Sequence, residues 1–419
     1  MYKIQNVFAR EVLDSRWNPT IETELEMINE KWEIGKWRAI VPSGASTGVH
    51  EALELRDNDK FRYLWKGVLN AVWNVNWIIK NAIVGKQFET VRDLDQLMIK
   101  LDWTSTKSKF WANAILAVSM AFVAAVAKAN DQWIYEYVNK GQWYILPKPM
   151  MNIMNWWSHA DNNVDIQEFM IVPVGAENVH EAIRMWSEVF HILKKILKSM
   201  WLVVSVGDEW WYAPNLKSNE EALQVIVQAI NEAGYEGKVK LAMDCAASEF
   251  YKDSKYHIDG KSLSAKELIV YYEDLVSKYP IISIEDGMAE DDFDWRKEIT
   301  KKLWKKIMLI GDDLFVTNME RLKMWIEQWM ANSILIKLNQ IWSVSETVDC
   351  VRMAQENGMS VIMSHRSWDT EDTFIADFAV ALNTGFIKTW SLSRSERIAK
   401  YNQLMRIEER LWKKAKYWI

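Results

Sequence analysis

The second half of the chain alternates short apolar runs with longer segments that repeat apolar residues every three or four positions. The apolar runs are residues 239–243, 281–284, 307–310, 334–336, 361–363 and 386–387. Short apolar runs are typical of buried strands, and the longer periodic segments are typical of helices packed on one face. Strands that alternate with helices indicate a parallel sheet, and this many units predicts a closed α/β barrel.

Helix start signals support this reading. Four segments have a Ser or Thr followed three residues later by Glu: Ser218 and Glu221, Ser264 and Glu267, Thr317 and Glu320, Ser343 and Glu346. In such a capping box the two side chains satisfy free N–H groups of the first helical turn. Each pair therefore predicts the beginning of a helix.

The first part of the chain has a different pattern. Residues 20–27 alternate apolar and polar side chains, which predicts a strand, and residues 109–130 are suited to a long helix. Polar residues and prolines at 139–149 mark a boundary. We therefore expect an N-terminal α+β capping domain over residues 1–139 and an α/β barrel over residues 140–419.

Composition narrows the class of protein. The 419 residues are 49% hydrophobic, and the net charge is −6 without a basic block, so no nucleic-acid partner is expected. Two cysteines make no disulfide framework, and the charged N-terminus is not a secretory signal. The uncharged apolar stretch at 114–127 is shorter than the ~18–20 residues of a membrane span. We expect a cytoplasmic protein without a membrane span.

Every predicted barrel strand ends in a polar or charged residue. These residues are Asp244, Glu285, Asp312, Lys337, His365 and Lys388, separated by 41, 27, 25, 28 and 23 positions. Any one of them is as well explained by a solvated loop charge, but the carboxyl ends of barrel strands converge on one face. Three carboxylates suit Mg²⁺. A lysine facing a bound cation would have a lowered pKa and could act as a base.

Longer motifs carry a resemblance to a known family. They are Val41-Pro-Ser-Gly-Ala-Ser-Thr-Gly48, Gln167-Glu-Phe-Met170, Val206-Gly-Asp-Glu209, Ala242-Met-Asp-Cys-Ala-Ala-Ser-Glu-Phe250, Ser283-Ile-Glu-Asp286, Gly311-Asp-Asp-Leu314, Ile336-Lys-Leu-Asn-Gln-Ile341, Ser364-His-Arg-Ser367, Thr370-Glu-Asp-Thr-Phe-Ile-Ala-Asp377 and Arg394-Ser-Glu-Arg397. In order and spacing the chain resembles enolases from about residue 3 to about residue 410.

The resemblance implies a fold, a reaction and an assembly. The fold is a (β/α)8-type barrel of the enolase kind with a smaller N-terminal α+β domain. The reaction is the Mg²⁺-dependent dehydration of 2-phosphoglycerate to phosphoenolpyruvate, a step of glycolysis and gluconeogenesis. Enolases are lyases that usually form homodimers and sometimes higher homo-oligomers. The expected partners are therefore a small-molecule substrate, Mg²⁺ and further copies of the chain.

The resemblance also implies residue roles. Asp244, Glu285 and Asp312 match ligands of the first Mg²⁺, and Ser43 matches a ligand of the second. Lys337 matches the base that takes the C2 proton, and Glu209 matches the acid that assists departure of the C3 hydroxyl. Glu168 and His159 match polar residues around that leaving group, and the substrate-binding residues are Gln167, His365, Arg366, Ser367 and Lys388.

Tryptophan departs from the family pattern. The chain has 25 Trp and only 15 Gly. At least twelve positions where enolases carry glycine are tryptophan: 17, 37, 65, 103, 111, 156, 157, 210, 211, 342, 368 and 390. An engineered or otherwise altered sequence explains so uniform a change more simply than natural descent. Two alternatives to an active enolase therefore remain. One is a catalytically impaired scaffold whose indoles block the pocket. The other is a superfamily racemase or cycloisomerase, but Glu209 and the His365-Arg366-Ser367 group argue against it.

Overall fold

A computed structural model describes residues 1–44, 50–104, 107–139, 143–155, 164–204, 212 and 214–417. The N-terminal strands are β1 (Tyr2–Leu13), β2 (Pro19–Asn29), β3 (Ile34–Ile40) and β4 (Gln87–Phe88). The helices are α1 (Leu69–Trp73), α2 (Lys80–Ile83), α3 (Val91–Asp102), α4 (Ala112–Ala129) and α5 (Ile134–Asn139), with a π-helical turn at Asn74–Ile79 and a 3₁₀ turn at Tyr63–Trp65. The predicted strand and long helix correspond to β2 and α4.

The four N-terminal strands form one antiparallel sheet in the order β3-β2-β1-β4. Helix α4 packs on β2 and β3. It is 18 residues long and apolar enough to cross a membrane by length and composition alone, but 94% of it is buried inside the protein. Helix α4 is thus slightly shorter than the predicted 109–130, and its apolar composition is explained by packing on the sheet.

The rest of the chain builds the barrel. Its strands are β5 (Tyr144–Leu146), β6 (Lys148–Asn155), β7 (Glu168–Val172), β8 (Lys240–Asp244), β9 (Tyr251–Lys252), β10 (Lys255–Ile258), β11 (Lys261–Leu263), β12 (Ile281–Glu285), β13 (Met308–Gly311), β14 (Ser333–Ile336), β15 (Ser360–Ser364), β16 (Gly385–Lys388) and β17 (Ala415–Tyr417). Its helices are α6 (Val179–Ser199), α7 (Asn219–Glu232), α8 (Ala265–Lys278), α9 (Phe293–Leu303), α10 (Met319–Glu327), α11 (Leu338–Ile341), α12 (Val344–Glu356), α13 (Phe374–Ala381) and α14 (Ser395–Leu411), with a 3₁₀ turn at Trp412–Lys414.

Eight strands close the barrel in the order β12-β13-β14-β15-β16-β6-β7-β8. The predicted closed α/β barrel is therefore confirmed, but β7 runs antiparallel to both of its neighbours. Two helices, α6 and α7, connect β7 to β8, whereas single helices connect most of the later strands. Two successive helices bring the chain back to the end it left, so the next strand runs the opposite way.

Apolar side chains fill the barrel interior. They come from seven strands and include Met150, Met170, Val172, Ala242, Ile310, Leu335, Ile362 and Phe386. Such layers make the barrel a packed core and leave polar residues to one end of it. The core thus directs the chemistry of the chain to the strand ends.

Three of the four predicted helix starts are correct. The hydroxyls of Ser218, Ser264 and Ser343 accept hydrogen bonds from the N–H groups three residues later. The fourth helix, α10, does begin here, but one residue later than predicted: Asn318 is its cap, and the Thr317 hydroxyl donates instead to Gln340 Oε1 at 2.7 Å. The Thr317 hydroxyl thus bonds to Gln340, a residue distant in sequence, and does not cap the helix as the local pattern predicted.

Candidate active site

Acidic side chains form a row across three neighbouring strands at one end of the barrel. Glu168 pairs in register with Asp244, and Asp244 pairs with Glu285. Glu168 is the first residue of β7, whereas the other two are the last residues of β8 and β12. Because β7 is antiparallel, its beginning lies where its neighbours end. The reversed strand therefore adds a carboxylate to a parallel-strand active-site face.

Lys388, the last residue of β16, reaches across to this row. Its Nζ lies 2.8 Å from Asp244 Oδ2, 2.8 Å from Glu285 Oε2 and 3.1 Å from Glu168 Oε2. All four side chains are buried. Burial works to lower the pKa of Lys388, but attraction to the three carboxylates outweighs it and holds that pKa well above the ordinary value. The ammonium is thus the counterion of the acidic row.

A second ion pair joins Lys337 to Asp312. Lys337 follows β14, and its Nζ contacts Asp312 Oδ2, while Gln340 Nε2 donates to Asp312 Oδ1 at 2.9 Å. Burial lowers the pKa of Lys337, yet the Asp312 charge overrides it and the net shift is upward. The expected lowering of the Lys337 pKa depends on a bound cation. Without such a cation the carboxylate acts in the opposite direction.

His365 is held neutral and in one orientation. Burial lowers the pKa of His365 well below its ordinary value, and the positive charges of Arg397 and Lys388 lower it further. Arg397 Nη1 lies 2.7 Å from His365 Nδ1. A guanidinium has only donors, so Nδ1 accepts this bond and the proton resides on Nε2. His365 is therefore oriented as a hydrogen-bond donor through Nε2.

Arg366 joins the barrel to the N-terminal domain. Its Nη1 donates to Glu51 Oε2 at 2.8 Å and to Asn339 Oδ1 at 2.9 Å. All three residues are buried. A Cβ added to Gly44 would lie 2.0 Å from Arg366 Nη2, so any other residue at 44 would require the guanidinium to shift.

Ser43 is held by hydrogen bonds to its own domain and to Trp368 of the barrel. Its hydroxyl donates to Glu54 Oε2 at 2.6 Å and accepts from Arg56 Nη2 at 2.9 Å. Its backbone exchanges two hydrogen bonds of 2.8 Å with Trp368. None of these hydrogen bonds reaches Asp244, Glu285 or Asp312, the other predicted metal ligands. Its metal-binding role stays a prediction.

A cavity of about 100 Å³ unites the remaining predicted residues. Its lining includes Gln167, Glu168, Asp244, Asp312, Lys337, His365, Arg366, Ser367 and Lys388, together with Trp390. Glu285 lies behind this lining and contacts the chain of charges through Lys388. Glu209 and His159 lie outside the described residues. Ten of the thirteen predicted site residues therefore gather at one barrel end.

Comparison with known families agrees with this architecture. Residues 4–138 match the family model of the enolase N-terminal domain. Residues 143–418 match that of the enolase C-terminal TIM barrel domain. The chain belongs to the enolase family. Membership suggests a lyase that acts on a small molecule, and enolases generally depend on Mg²⁺. The predicted domain boundary at residue 139 stays a prediction.

The donor set fits the Mg²⁺ of enolases. Asp244, Glu285 and Asp312 supply the hard carboxylate oxygens that Mg²⁺ prefers, from three adjacent strands. Across the described ranges, no three acidic, histidine or cysteine side chains are grouped closely enough to hold an ion as they stand. Two of these carboxylates already share one positive charge, that of Lys388. A bound cation would therefore take up an electrostatic role that the ammonium fills now.

Sequence reasoning missed several residues that position the enolase site. Arg397 fixes His365, and it also donates to the carbonyls of Arg366 and Ser367, each at 2.9 Å. Glu51 pairs with Arg366. Both stand in or beside quoted motifs, since Arg397 ends the Arg394–Arg397 motif and Glu51 follows the loop at 41–48. This position in or beside a motif is the one sequence signal that could have pointed to them.

Proposed function

We propose that this chain dehydrates 2-phosphoglycerate to phosphoenolpyruvate with Mg²⁺ as cofactor, the reaction of glycolysis and gluconeogenesis. The observation that carries the proposal is one cavity that combines a carboxylate row, two lysines and an arginine–histidine pair in a member of the enolase family. We also propose a cytoplasmic homodimer or higher homo-oligomer, as expected for the family.

The positive side of the cavity suits an anionic substrate. Arg366 presents a planar guanidinium, whose forked donors match phosphate oxygens, and Ser367 lies beside it. His365 offers its Nε2–H to the same ligand. These three side chains would fix the phosphate and orient C2 of the substrate toward Lys337.

Lys337 is the proposed base. To accept the C2 proton at Nζ it must first be neutral, so its raised pKa has to fall. Positive charge at Asp312 would produce that fall, because it cancels the attraction that keeps Lys337 protonated. Mg²⁺, if held there, would supply such charge and would also stabilise negative charge on the substrate carboxylate. Asp244, Glu285 and Asp312 would hold it, with Ser43 as a further ligand.

The C3 hydroxyl is a poor leaving group and needs a proton. Glu209 is the proposed donor, so that the hydroxyl leaves as water while the C2–C3 double bond forms. Glu168 supports this assignment indirectly. It is buried near the proposed leaving group, and burial raises its pKa more than Lys388 lowers it. His159 is the second proposed polar neighbour.

Solvent exchange at C2 separates the two proton transfers. The chain, with Mg²⁺ and 2-phosphoglycerate in D₂O, would be followed by NMR for deuterium at C2 and by ultraviolet absorbance for phosphoenolpyruvate. Lys337→Ala should lose both signals, whereas Glu209→Gln should lose the product and keep exchange. Lys305→Ala, at an exposed lysine, is the control and should change neither. Undiminished exchange in Lys337→Ala would contradict the proposed base.

One observation favours a second candidate, a catalytically impaired enolase scaffold. Trp390 lines the cavity, and its ring centroid lies 4.5 Å from that of His365. A folded chain that binds Mg²⁺ but neither exchanges C2 nor forms product would support this candidate. The four tryptophans at 156, 157, 210 and 211, predicted to crowd the same site, lie outside the described residues.

A further inference from the structure

Ten tryptophans in the described part of the chain have a left-handed backbone. Their φ angles lie between 45° and 76° at Trp17, Trp32, Trp65, Trp103, Trp111, Trp201, Trp329, Trp342, Trp390 and Trp412. A Cβ disfavours this region, and a bulky residue there is an outlier, whereas glycine enters it freely. Tryptophan nevertheless makes up ten of the 23 non-glycine residues with positive φ. The backbone at these positions has the conformation of glycine.

Helix ends within the chain provide a matched comparison. Trp201 follows α6 and Gly234 follows α7. In both, the N–H donates to the carbonyl three residues earlier, at 3.1 and 2.9 Å, and the next N–H donates to the carbonyl five residues before it, at 3.0 Å. Trp329 after α10 and Gly358 after α12 repeat the pair of bonds. This is the Schellman motif, whose left-handed residue is usually glycine. Tryptophan here occupies glycine's place.

Trp342 and Trp390 are buried, but packing does not account for the exposed members of this set. The side chains of Trp201, Trp17 and Trp32 are 95%, 82% and 79% exposed, so these indoles contribute little to the core. Glycine is correspondingly scarce: the 15 residues in 419 are roughly half the average share of about 7%. The excess of one residue type and the deficit of the other thus occur together.

The same substitution affects the cavity. Trp390 has φ 56° and lines a space of about 100 Å³. Ligand pockets usually measure about 300–1,000 Å³. A glycine at 390 would keep the backbone, remove the indole beside His365 and enlarge the cavity where the other predicted substrate residues meet.

We propose that these ten positions carry glycine in the protein made by the cell that encodes it, because one codon is assigned to glycine there. UGA is the candidate codon, since it differs by one base from the tryptophan codon UGG and by one base from the glycine codon GGA. A glycine-charged transfer RNA that reads UGA would convert all ten positions together. Independent mutations would have no reason to select left-handed positions.

Peptide mass spectrometry of the protein isolated from its own cells tests the proposal. After tryptic digestion, the peptides that end at Lys217 and Lys337 contain positions 201 and 329. Glycine at both positions is the expected result, and tryptophan at both would overturn the proposal. The peptide that contains Gly358 is the control, since it must show glycine in any case. The gene offers a second readout: UGA is expected at the ten positions, and UGG there would also overturn it.

Discussion

Restoring glycine at four exposed left-handed positions should stabilise the chain. The variant combines Trp17→Gly, Trp32→Gly, Trp103→Gly and Trp201→Gly. Their φ angles are 60°, 62°, 52° and 60°, and their side chains are 75–95% exposed. Because these indoles are exposed, removing them loses few packing contacts. The change in the free energy of unfolding should therefore come mainly from the backbone conformation.

The magnitude follows from two opposing effects. A left-handed residue with a Cβ costs roughly 1–2 kcal/mol, which glycine avoids. Glycine in turn makes the unfolded chain more flexible, which costs about 0.4–1 kcal/mol. The net gain is therefore about 0.5–1 kcal/mol per site, or about 2–4 kcal/mol for four separate sites whose effects add. Net stabilities are only ~5–15 kcal/mol, so the gain is measurable.

Urea unfolding provides the assay. The midpoint should rise while the slope with urea stays unchanged, because the surface exposed on unfolding is similar. Trp73→Gly is the matched control: Trp73 is 53% exposed but has helical φ and ψ of −62° and −44°. This control should lose about 0.5 kcal/mol, because glycine is a poorer helix former. A similar gain in the control would show that loss of exposed indoles, not relief of the backbone, stabilises the chain, and no gain in the fourfold variant would refute the reasoning.

Three further predictions concern buried charges. Lys388→Met should destabilise the Mg²⁺-free protein by roughly 3–5 kcal/mol, because it leaves the buried carboxylates of the acidic row without their counterion. Adding Mg²⁺ should therefore raise the melting temperature of this variant more than that of the parent, and an equal rise would contradict the prediction. Arg397→Gln should raise the pKa of His365, so the acid limb of the kcat/KM profile should move to higher pH, and an unmoved limb would count against the pairing. Burial raises the pKa of Asp377 from 3.8 to about 7, so its contribution to stability is present below the lower value and lost as pH rises through the higher one. Asp377→Asn should flatten the unfolding free energy across that window, and a parallel curve would contradict the assignment.

Local patterns predicted what local physics controls. The apolar runs located six of the eight barrel strands, all except β6 and β7. Polar residues at the ends of these six marked the candidate active-site face, because parallel barrel strands end on the same face. Asp244, Glu285 and Lys388 were found this way, although their mutual ion pairs were not. The position of a residue at a strand end fixes where its backbone lies. It does not fix which partner the tip of a long, flexible lysine side chain contacts.

Other features depended on contacts between distant segments. The direction of β7 follows from the two helices after it, so no pattern within the strand announces it. The Thr317 cap failed because Gln340 competes for its hydroxyl. Glu51 gave no signal of its own, since its partner Arg366 lies 315 residues away in the chain. The unpredicted part of the site is therefore the part made by long-range charge pairing.

The pairing of Arg366 with Glu51 has a consequence for timing. An anion that claims the guanidinium must compete with an internal carboxylate held at 2.8 Å, so its apparent affinity is reduced by the work of displacing Glu51. Glu51 belongs to the N-terminal domain, and Arg366 to the barrel. Ligand arrival and loosening of this bond between the domains are therefore thermodynamically linked, and each must promote the other. In the ligand-free protein the Glu51 carboxylate competes with the anion for Arg366. Its return to the guanidinium therefore favours release of the bound anion.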